Sequence, residues 1–318
     1  MFLATTALNE FWDTNQKILF LGDHCKLFDS KEENISLESH TMPPFWHSSV
    51  QVEDAITVCK LIYQKFLPLL TDQLNILHGE EQSEHYYHII LGNWLEGYIQ
   101  QYYDKFYSIQ KVLDTCGVAK EKLFTYTLNS HQDYIPSEIY DYFEATVTDE
   151  YALQLYSYVI RFLQIPHSDK ALKQPIDNKR PIVKKFRSNV SRVIRSSIFK
   201  MTYLINSILQ DQQILISALV FKENSFFNHL KLWIMSKAKI VIDDFSYQRL
   251  AHHKTDFTKR KEISTFLQNN HYESLFETFL STRIAYDLPV IFLENFQNFK
   301  NTLPLKSFDK TAMLITMN

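Results

Sequence analysis

The sequence predicts an α/β fold with high helix content and a parallel sheet. Apolar runs of strand length alternate along the 318 residues with longer stretches whose apolar residues recur at helical spacing. Strands that alternate with helices pair in parallel, and such sheets bind ligands at the carboxyl ends of their strands. Only five glycines are present, so phosphate-binding loops that need several neighbouring glycines are excluded.

The first part of the chain predicts one buried strand followed by long helices. Residues 17–21 are apolar and partly β-branched, and the run stops at Gly22, as expected for a strand that enters a loop. A second short extended piece is expected before Pro43. Helical spacing predicts three helices, over residues 52–77, 83–113 and 148–164. We expect Pro68 to kink or divide the first of them and Gly79 to end it.

The second part of the chain predicts strand–helix units after a linker. Prolines and lysines at 166–189 indicate a basic linker between an N-terminal α/β region at 1–165 and a C-terminal region at 190–318. The C-terminal region begins with an amphipathic helix over 190–208. Strands are expected over 214–220, 239–243, 290–293 and 311–316, with helices over 225–235 and 259–281. Together these elements predict a Rossmann-like parallel sheet flanked by helices.

Composition and charge predict a cytoplasmic protein. The three cysteines are far apart and in no C-x-x-C spacing, which argues against a disulfide framework or a zinc site. The sequence contains neither a signal-peptide pattern nor an apolar run of membrane-spanning length. The segment 170–200 has a net charge of +9 and the remainder −12. We therefore expect only this segment to contact an anionic surface, such as the inner face of the cytoplasmic membrane.

Asp23 and His24 follow the first predicted strand, where an α/β fold presents reactive side chains. A histidine beside a carboxylate can act as the general base that takes a proton from an acceptor hydroxyl. The residues alone leave open the alternative of a loop turn with a solvated acid. His85 and His88 share a predicted helix face without a third ligand, so we expect surface histidines with partners there and no metal site.

Five basic residues belong to the positively charged segment and its predicted helix: Lys184, Lys185, Arg187, Arg192 and Arg195. They are suited to phosphate groups of a lipid-linked acceptor, to an anionic membrane or to nucleic acid, and a solvated helix face is the alternative. The negative charge elsewhere and the lack of a nucleic-acid reader motif argue against nucleic acid.

Several stretches, taken in order, resemble one family of bacterial transferases encoded in O-antigen and other surface-polysaccharide gene clusters. The resemblance covers most of the first 160 residues. The matching stretches are Leu3-Ala4-Thr5-Thr6-Ala7-Leu8 with Trp12, Lys17–Leu27, Leu77-His78-Gly79, Tyr86–Leu95, Tyr103-Asp104-Lys105-Phe106, Asp149-Glu150-Tyr151 and Leu155-Tyr156-Ser157. Two positions depart from the family pattern, since Asn93 stands where we expect proline and Lys105 where we expect arginine. Lysine lacks the bidentate anion contact of arginine.

The resemblance implies the N-terminal, acceptor-side half of a two-domain glycosyltransferase of the GT-B type. It implies Asp23 or His24 as the base, and His47 and His78 as groups that orient the acceptor. The five basic residues would hold acceptor phosphates. The partners implied are a glycan or lipid-linked acceptor and a nucleotide-sugar donor, with no further cofactor. Family members are longer, so the donor-binding half is expected outside this chain. The alternative is a non-catalytic remnant, or one subunit of a split transferase whose donor half is a separate chain.

Overall fold

A computed structural model describes residues 1–26, 39–46, 48–115, 120–173, 176 and 254–302, together with the backbone of strands at 213–217, 239–243 and 311–315. The chain divides into two units. The first comprises Met1–Asn178 and His252–Phe296, and the second comprises Lys179–Ala251 and Gln297–Asn318. The α/β fold with high helix content and parallel strands is confirmed in the described part of the chain.

The first unit contains a parallel sheet built from two groups of strands. Its strands are β1 (Phe2–Ala4), β2 (Ile18–Phe20), β3 (His40–Thr41), β4 (Thr125–Leu128) and β5 (His167–Lys170). β2 pairs with β1 and β3, and β4 pairs with β5. The amide of Leu3 donates to the Phe124 carbonyl at 2.8 Å, and the amide of Phe124 donates to that of Met1 at 3.0 Å. These bonds join the groups in the order β3-β2-β1-β4-β5, as in Rossmann-type sheets.

The described residues include seven α-helices, and the first four of these make the crossovers between the strands of the first unit. The seven helices are α1 (Ser49–His78), α2 (Glu84–Thr115), α3 (Ile139–Thr146), α4 (Asp149–Phe162), α5 (Phe257–Gln268), α6 (Leu275–Asp287) and α7 (Phe296–Thr302). α1 and α2 carry the chain from β3 to β4, and α3 and α4 connect β4 to β5. Strand order therefore reverses between β1 and β4. In open parallel sheets this is where ligands bind, beyond the carboxyl ends of the strands.

The predicted long helices are confirmed, and residues at their ends cap or terminate them. The Ser48 hydroxyl accepts from the Gln51 amide at the start of α1, and Gly79 ends the helix with φ of 65°. Pro68 lies inside α1 without dividing it. Proline removes one intrahelical hydrogen bond, but the buried residues on both sides of Pro68 keep the helix packed. Thr148 caps α4 by accepting from the Tyr151 amide.

Two predictions for the last part of the first unit are wrong. The predicted helix at 259–281 is two helices, because Ser274 and Glu277 form a capping box that begins α6. The predicted strand at 290–293 contains a 3₁₀ helix, Val290–Phe292, which is fully buried. Its amides at Val290 and Ile291 bond to the carbonyls of Pro136 and Ser137. A short apolar run does not distinguish a buried strand from another buried element.

Strand β5 begins the segment that we predicted as a linker, so residues 167–170 belong to the sheet of the first unit. The sequence analysis also missed β1, β4 and α3.

In the second unit, β6 (Gln213–Ser217), β7 (Lys239–Asp243) and β8 (Thr311–Ile315) pair in parallel in the order β7-β6-β8, which confirms three predicted strands. The helices predicted over 190–208 and 225–235 lie outside the described residues. Among the described helices, none is long and apolar enough to cross a membrane.

Candidate functional site

The loop after β2 presents His24 at the carboxyl edge of the sheet. A 3₁₀ turn over Asp23–Cys25 follows Gly22, with the Cys25 amide donating to the Gly22 carbonyl at 3.1 Å. A Cβ atom on Gly22 would lie 2.8 Å from Nδ1 of His24. Glycine at this position therefore lets the imidazole fold back against the backbone. The His24 and Asp23 side chains are exposed, and Cys25 is fully buried.

The charges of four residues act on the pKa of the His24 imidazole. These residues are Lys105 and Asp104 of α2, Asp149 at the start of α4, and the neighbouring Asp23. Loss of hydration lowers the pKa of His24 below its ordinary value, and the Lys105 cation lowers it further, while the three carboxylates act in the opposite direction. The imidazole is therefore neutral at pH 7. Since it also retains access to solvent, it is able to accept a proton from a bound hydroxyl.

Asp104 is held by hydrogen bonds to both of its oxygens. Nε1 of Trp46 donates to Oδ1 at 2.9 Å, and Nζ of Lys105 donates to Oδ2 at 3.1 Å. Lys105 also donates to Oε1 of Gln101 at 3.2 Å, and its Nζ lies 5.6 Å from the ring centroid of Tyr156 on α4. These contacts tie α2, α4 and the segment after β3 together beside His24.

The neighbours of His24 are less suited to proton transfer or nucleophilic attack. Asp23 forms a surface ion pair with Lys26, with 3.1 Å between Oδ1 and Nζ, and its side chain is 81% exposed. Burial raises the pKa of the Cys25 thiol to about 12, so this cysteine stays protonated and unreactive.

The structure does not bring His78 together with Asp23 and His24. His78 ends α1, donates from Nε2 to the Phe292 carbonyl at 3.0 Å, and stacks on Phe296 with 4.0 Å between ring centroids. The opposite end of α1 adjoins the Trp46–Asp104 contact, and a helix of 30 residues is about 45 Å long.

The other predicted binding residues, His47, Lys184, Lys185, Arg187, Arg192 and Arg195, lie outside the described residues.

A second polar cluster in the first unit is buried and connects α2, α4 and α6. Oδ2 of Asp287 accepts from the hydroxyls of Tyr98 and Tyr102 at 2.8 Å each, and Oδ1 pairs with Arg283 at 2.5 Å. The Arg283 guanidinium lies 3.5 Å from the ring centroid of Tyr158. Burial and the Asp287 charge raise the pKa of both tyrosines above their ordinary value. We assign this cluster to helix packing because its charges are paired within the protein.

The sequence analysis did not place four residues at this site: Asp104, Lys105 and Asp149, whose charges act on His24, and Trp46, which donates to Asp104. Three of them belong to stretches that carry the family resemblance, but no local pattern marked them as neighbours of His24. The surface histidines have partners as expected, since Nδ1 of His88 lies 2.6 Å from the Tyr63 hydroxyl. In the described part of the chain, no group of three or more His, Cys, Asp or Glu side chains is arranged to hold a metal ion.

The fold and the site define an α/β protein with a neutral, accessible histidine at the carboxyl edge of a Rossmann-like sheet. Residues 1–317 match the model of the LIC12162 family transferase, so the chain belongs to this transferase family. Comparisons with curated proteins and with solved structures find no match.

Proposed function

We propose that this transferase is a glycosyltransferase of bacterial surface-polysaccharide synthesis, such as O-antigen synthesis, with a GT-B-type architecture. The observation that carries the proposal is His24, a neutral and exposed imidazole at the carboxyl edge of the sheet, in a chain that belongs to a transferase family. The sheet order and the position of this edge support a ligand site there.

In the proposed reaction His24 acts as the general base. The imidazole takes the proton of an acceptor hydroxyl while the hydroxyl oxygen forms a bond to the anomeric carbon of the donor sugar. The bond between that carbon and the donor phosphate breaks, and the nucleotide leaves with the electron pair. Lys105 and partial burial support this role because both hold the pKa of His24 below its ordinary value. Asp104 and Asp149 would stabilise the imidazolium that forms.

The acceptor we propose is a glycan, free or linked to a lipid at the inner face of the cytoplasmic membrane. The basic residues Lys184, Lys185, Arg187, Arg192 and Arg195 are proposed to hold its phosphates or the membrane surface. Their net positive charge in an otherwise negative chain supports this assignment.

A complementation experiment tests the proposal. Deleting the gene in its source bacterium is expected to change the surface polysaccharide resolved on a gel, and the wild-type chain is expected to restore it. His24→Asn is expected to fail, because loss of a general base costs about 10²- to 10⁴-fold in rate. His271→Asn is the matched control, since His271 is an exposed histidine between α5 and α6. Unchanged polysaccharide after deletion, or full complementation by His24→Asn, would contradict the proposal.

Titration of the purified chain with nucleotide sugars tests where the donor binds. The sequence-based expectation of a separate donor half predicts no calorimetric signal from the sugar-linked forms of UDP, GDP, CMP and dTDP. Saturable binding by any of them would place the donor site within this chain and remove that expectation.

A further inference from the structure

Four half-buried aromatic side chains form a cluster beside the candidate site. This aromatic platform consists of Phe45 and Trp46, which follow β3, and Tyr103 and Tyr107 on α2. Phe45 lies nearly parallel to Tyr107, with 6.4 Å between ring centroids and 14° between planes. Trp46 is related in the same way to Tyr103, at 6.1 Å and 19°. Tyr103 and Tyr107 are 4.4 Å apart, which closes the cluster into a two-by-two arrangement.

Polar groups connect the platform to the charges that act on the candidate base. Trp46 donates to Asp104, which is bonded to Lys105, and the charges of both residues act on His24. Within the described part of the chain, the hydroxyls of Tyr103 and Tyr107 make no hydrogen bond. Burial raises the pKa of Tyr103 to about 12 and that of Tyr107 above its ordinary value. Both hydroxyls therefore stay protonated and can donate to a ligand oxygen.

We propose that the aromatic platform is a subsite for one pyranose residue of the glycan acceptor. A pyranose has an apolar face of C–H groups and a rim of hydroxyls, and it is uncharged. The platform offers matching chemistry, because its aromatic rings, with Phe45 and Trp46 at 74° to each other, lie next to hydroxyl donors and an Asp104–Lys105 pair whose charges cancel. The subsite rests on the proposed function, because it positions the acceptor hydroxyl next to His24.

The nucleobase of the donor is the other flat ligand that would stack on such a surface. We favour the acceptor sugar because the platform lies one hydrogen bond from Asp104, whose charge already acts on His24. The acceptor hydroxyl must reach this base, whereas a nucleobase is separated from the reacting carbon by its ribose and phosphates.

Saturation-transfer NMR on the whole chain tests the subsite directly and without turnover. The probes are the methyl glycosides of glucose, galactose, mannose, rhamnose and N-acetylglucosamine, with UMP, GMP and CMP as the competing ligand class. We expect transfer from the protein to the ring protons of at least one glycoside. Phe45→Ala and Trp46→Ala should each weaken binding by about 3- to 10-fold, the range for loss of one aromatic contact.

Two further variants keep the test decisive if Trp46→Ala does not fold. Trp46→Phe retains an aromatic ring but removes the hydrogen bond to Asp104, so it should bind more tightly than Trp46→Ala. Phe257→Ala removes an aromatic residue that is 61% exposed at the start of α5 and should leave binding unchanged. No transfer to any glycoside, equal loss with Phe257→Ala, or binding of the nucleotides alone through Trp46 would overturn the subsite.

The outcomes separate this inference from the proposed function. Glycoside binding that depends on Trp46, together with unchanged surface polysaccharide after gene deletion, would uphold the subsite and contradict the glycosyltransferase. Complementation that depends on His24 but not on Phe45 or Trp46, without glycoside binding, would uphold the glycosyltransferase and overturn the subsite.

Discussion

The buried ion pair between Arg260 and Glu294 supports the sharpest prediction about the stability of the first unit. The Arg260 side chain is 0% exposed and that of Glu294 is 4% exposed, and Nε and Nη2 of the arginine contact both carboxylate oxygens at 2.7 and 2.8 Å. Nη1 donates to the carbonyls of Ala285, Tyr286 and Leu288. Arg260 thus satisfies carbonyls at the end of α6 that lack intrahelical partners.

We expect Arg260→Met to lower the free energy of unfolding by about 3–5 kcal/mol, because it leaves the Glu294 carboxylate buried without its cation. For a unit of this size the melting temperature should fall by roughly 6–20 °C. Urea unfolding followed by far-ultraviolet circular dichroism measures the loss. Lys261→Met is the matched control, since Lys261 is an exposed neighbour on α5, and it should change stability by less than about 0.5 kcal/mol.

The double variant Arg260→Met/Glu294→Gln separates charge burial from the loss of hydrogen bonds. It removes the uncompensated carboxylate, so it should be more stable than Arg260→Met alone. The carbonyls of Ala285, Tyr286 and Leu288 still lack their donor, so the double variant should remain less stable than the wild type. A loss below about 1 kcal/mol for Arg260→Met, or a double variant less stable than the single one, would refute this reasoning.

Three further predictions concern His24 and the end of α1. Lys105→Met should raise the pKa of His24, because it removes a nearby cation. NMR titration of the imidazole measures this shift. If activity is lost when His24 is protonated at low pH, that loss should then begin at a higher pH. Gly22→Ala should displace the His24 ring and shift its NMR signals without unfolding the chain, since φ of −175° accepts alanine and only the ring obstructs the new methyl group. Gly79→Ala should cost about 1–2 kcal/mol in urea unfolding, because φ of +65° is left-handed and no other atom crowds the site.

Each of these three predictions has a contradicting outcome. Lys261→Met should leave the titration of His24 unchanged, and an equal shift in both lysine variants would show that the Lys105 charge has no specific effect. Gly22→Ala with unaltered His24 signals would contradict the close approach of ring and backbone. Gly79→Ala with wild-type stability would mean that the end of α1 adapts at no cost.

Local patterns predicted much of the fold and the loop that carries Asp23 and His24. The apolar run at 17–21 correctly indicated a strand that ends beside Asp23 and His24, and Gly79 correctly marked the end of α1. The Ser274–Glu277 capping box was present in the sequence but was overlooked in the predicted helix at 259–281. The run at 290–293 was misassigned because burial on all sides hides the period that distinguishes strands from helices.

The sequence by itself determined the long helices α1, α2 and α4, the strand β2 and the loop that carries His24, because each of these depends on residues close together in the chain. Only the tertiary structure decided what surrounds His24. The parallel sheet brings the end of β2 to the same edge as the start of α4, and the α1–α2 hairpin returns Asp104 and Lys105 to Trp46. These residues are distant along the chain, and packing of buried faces places them together. His24 was therefore identifiable from its loop as a candidate base, whereas the charges that act on it and the aromatic platform were not.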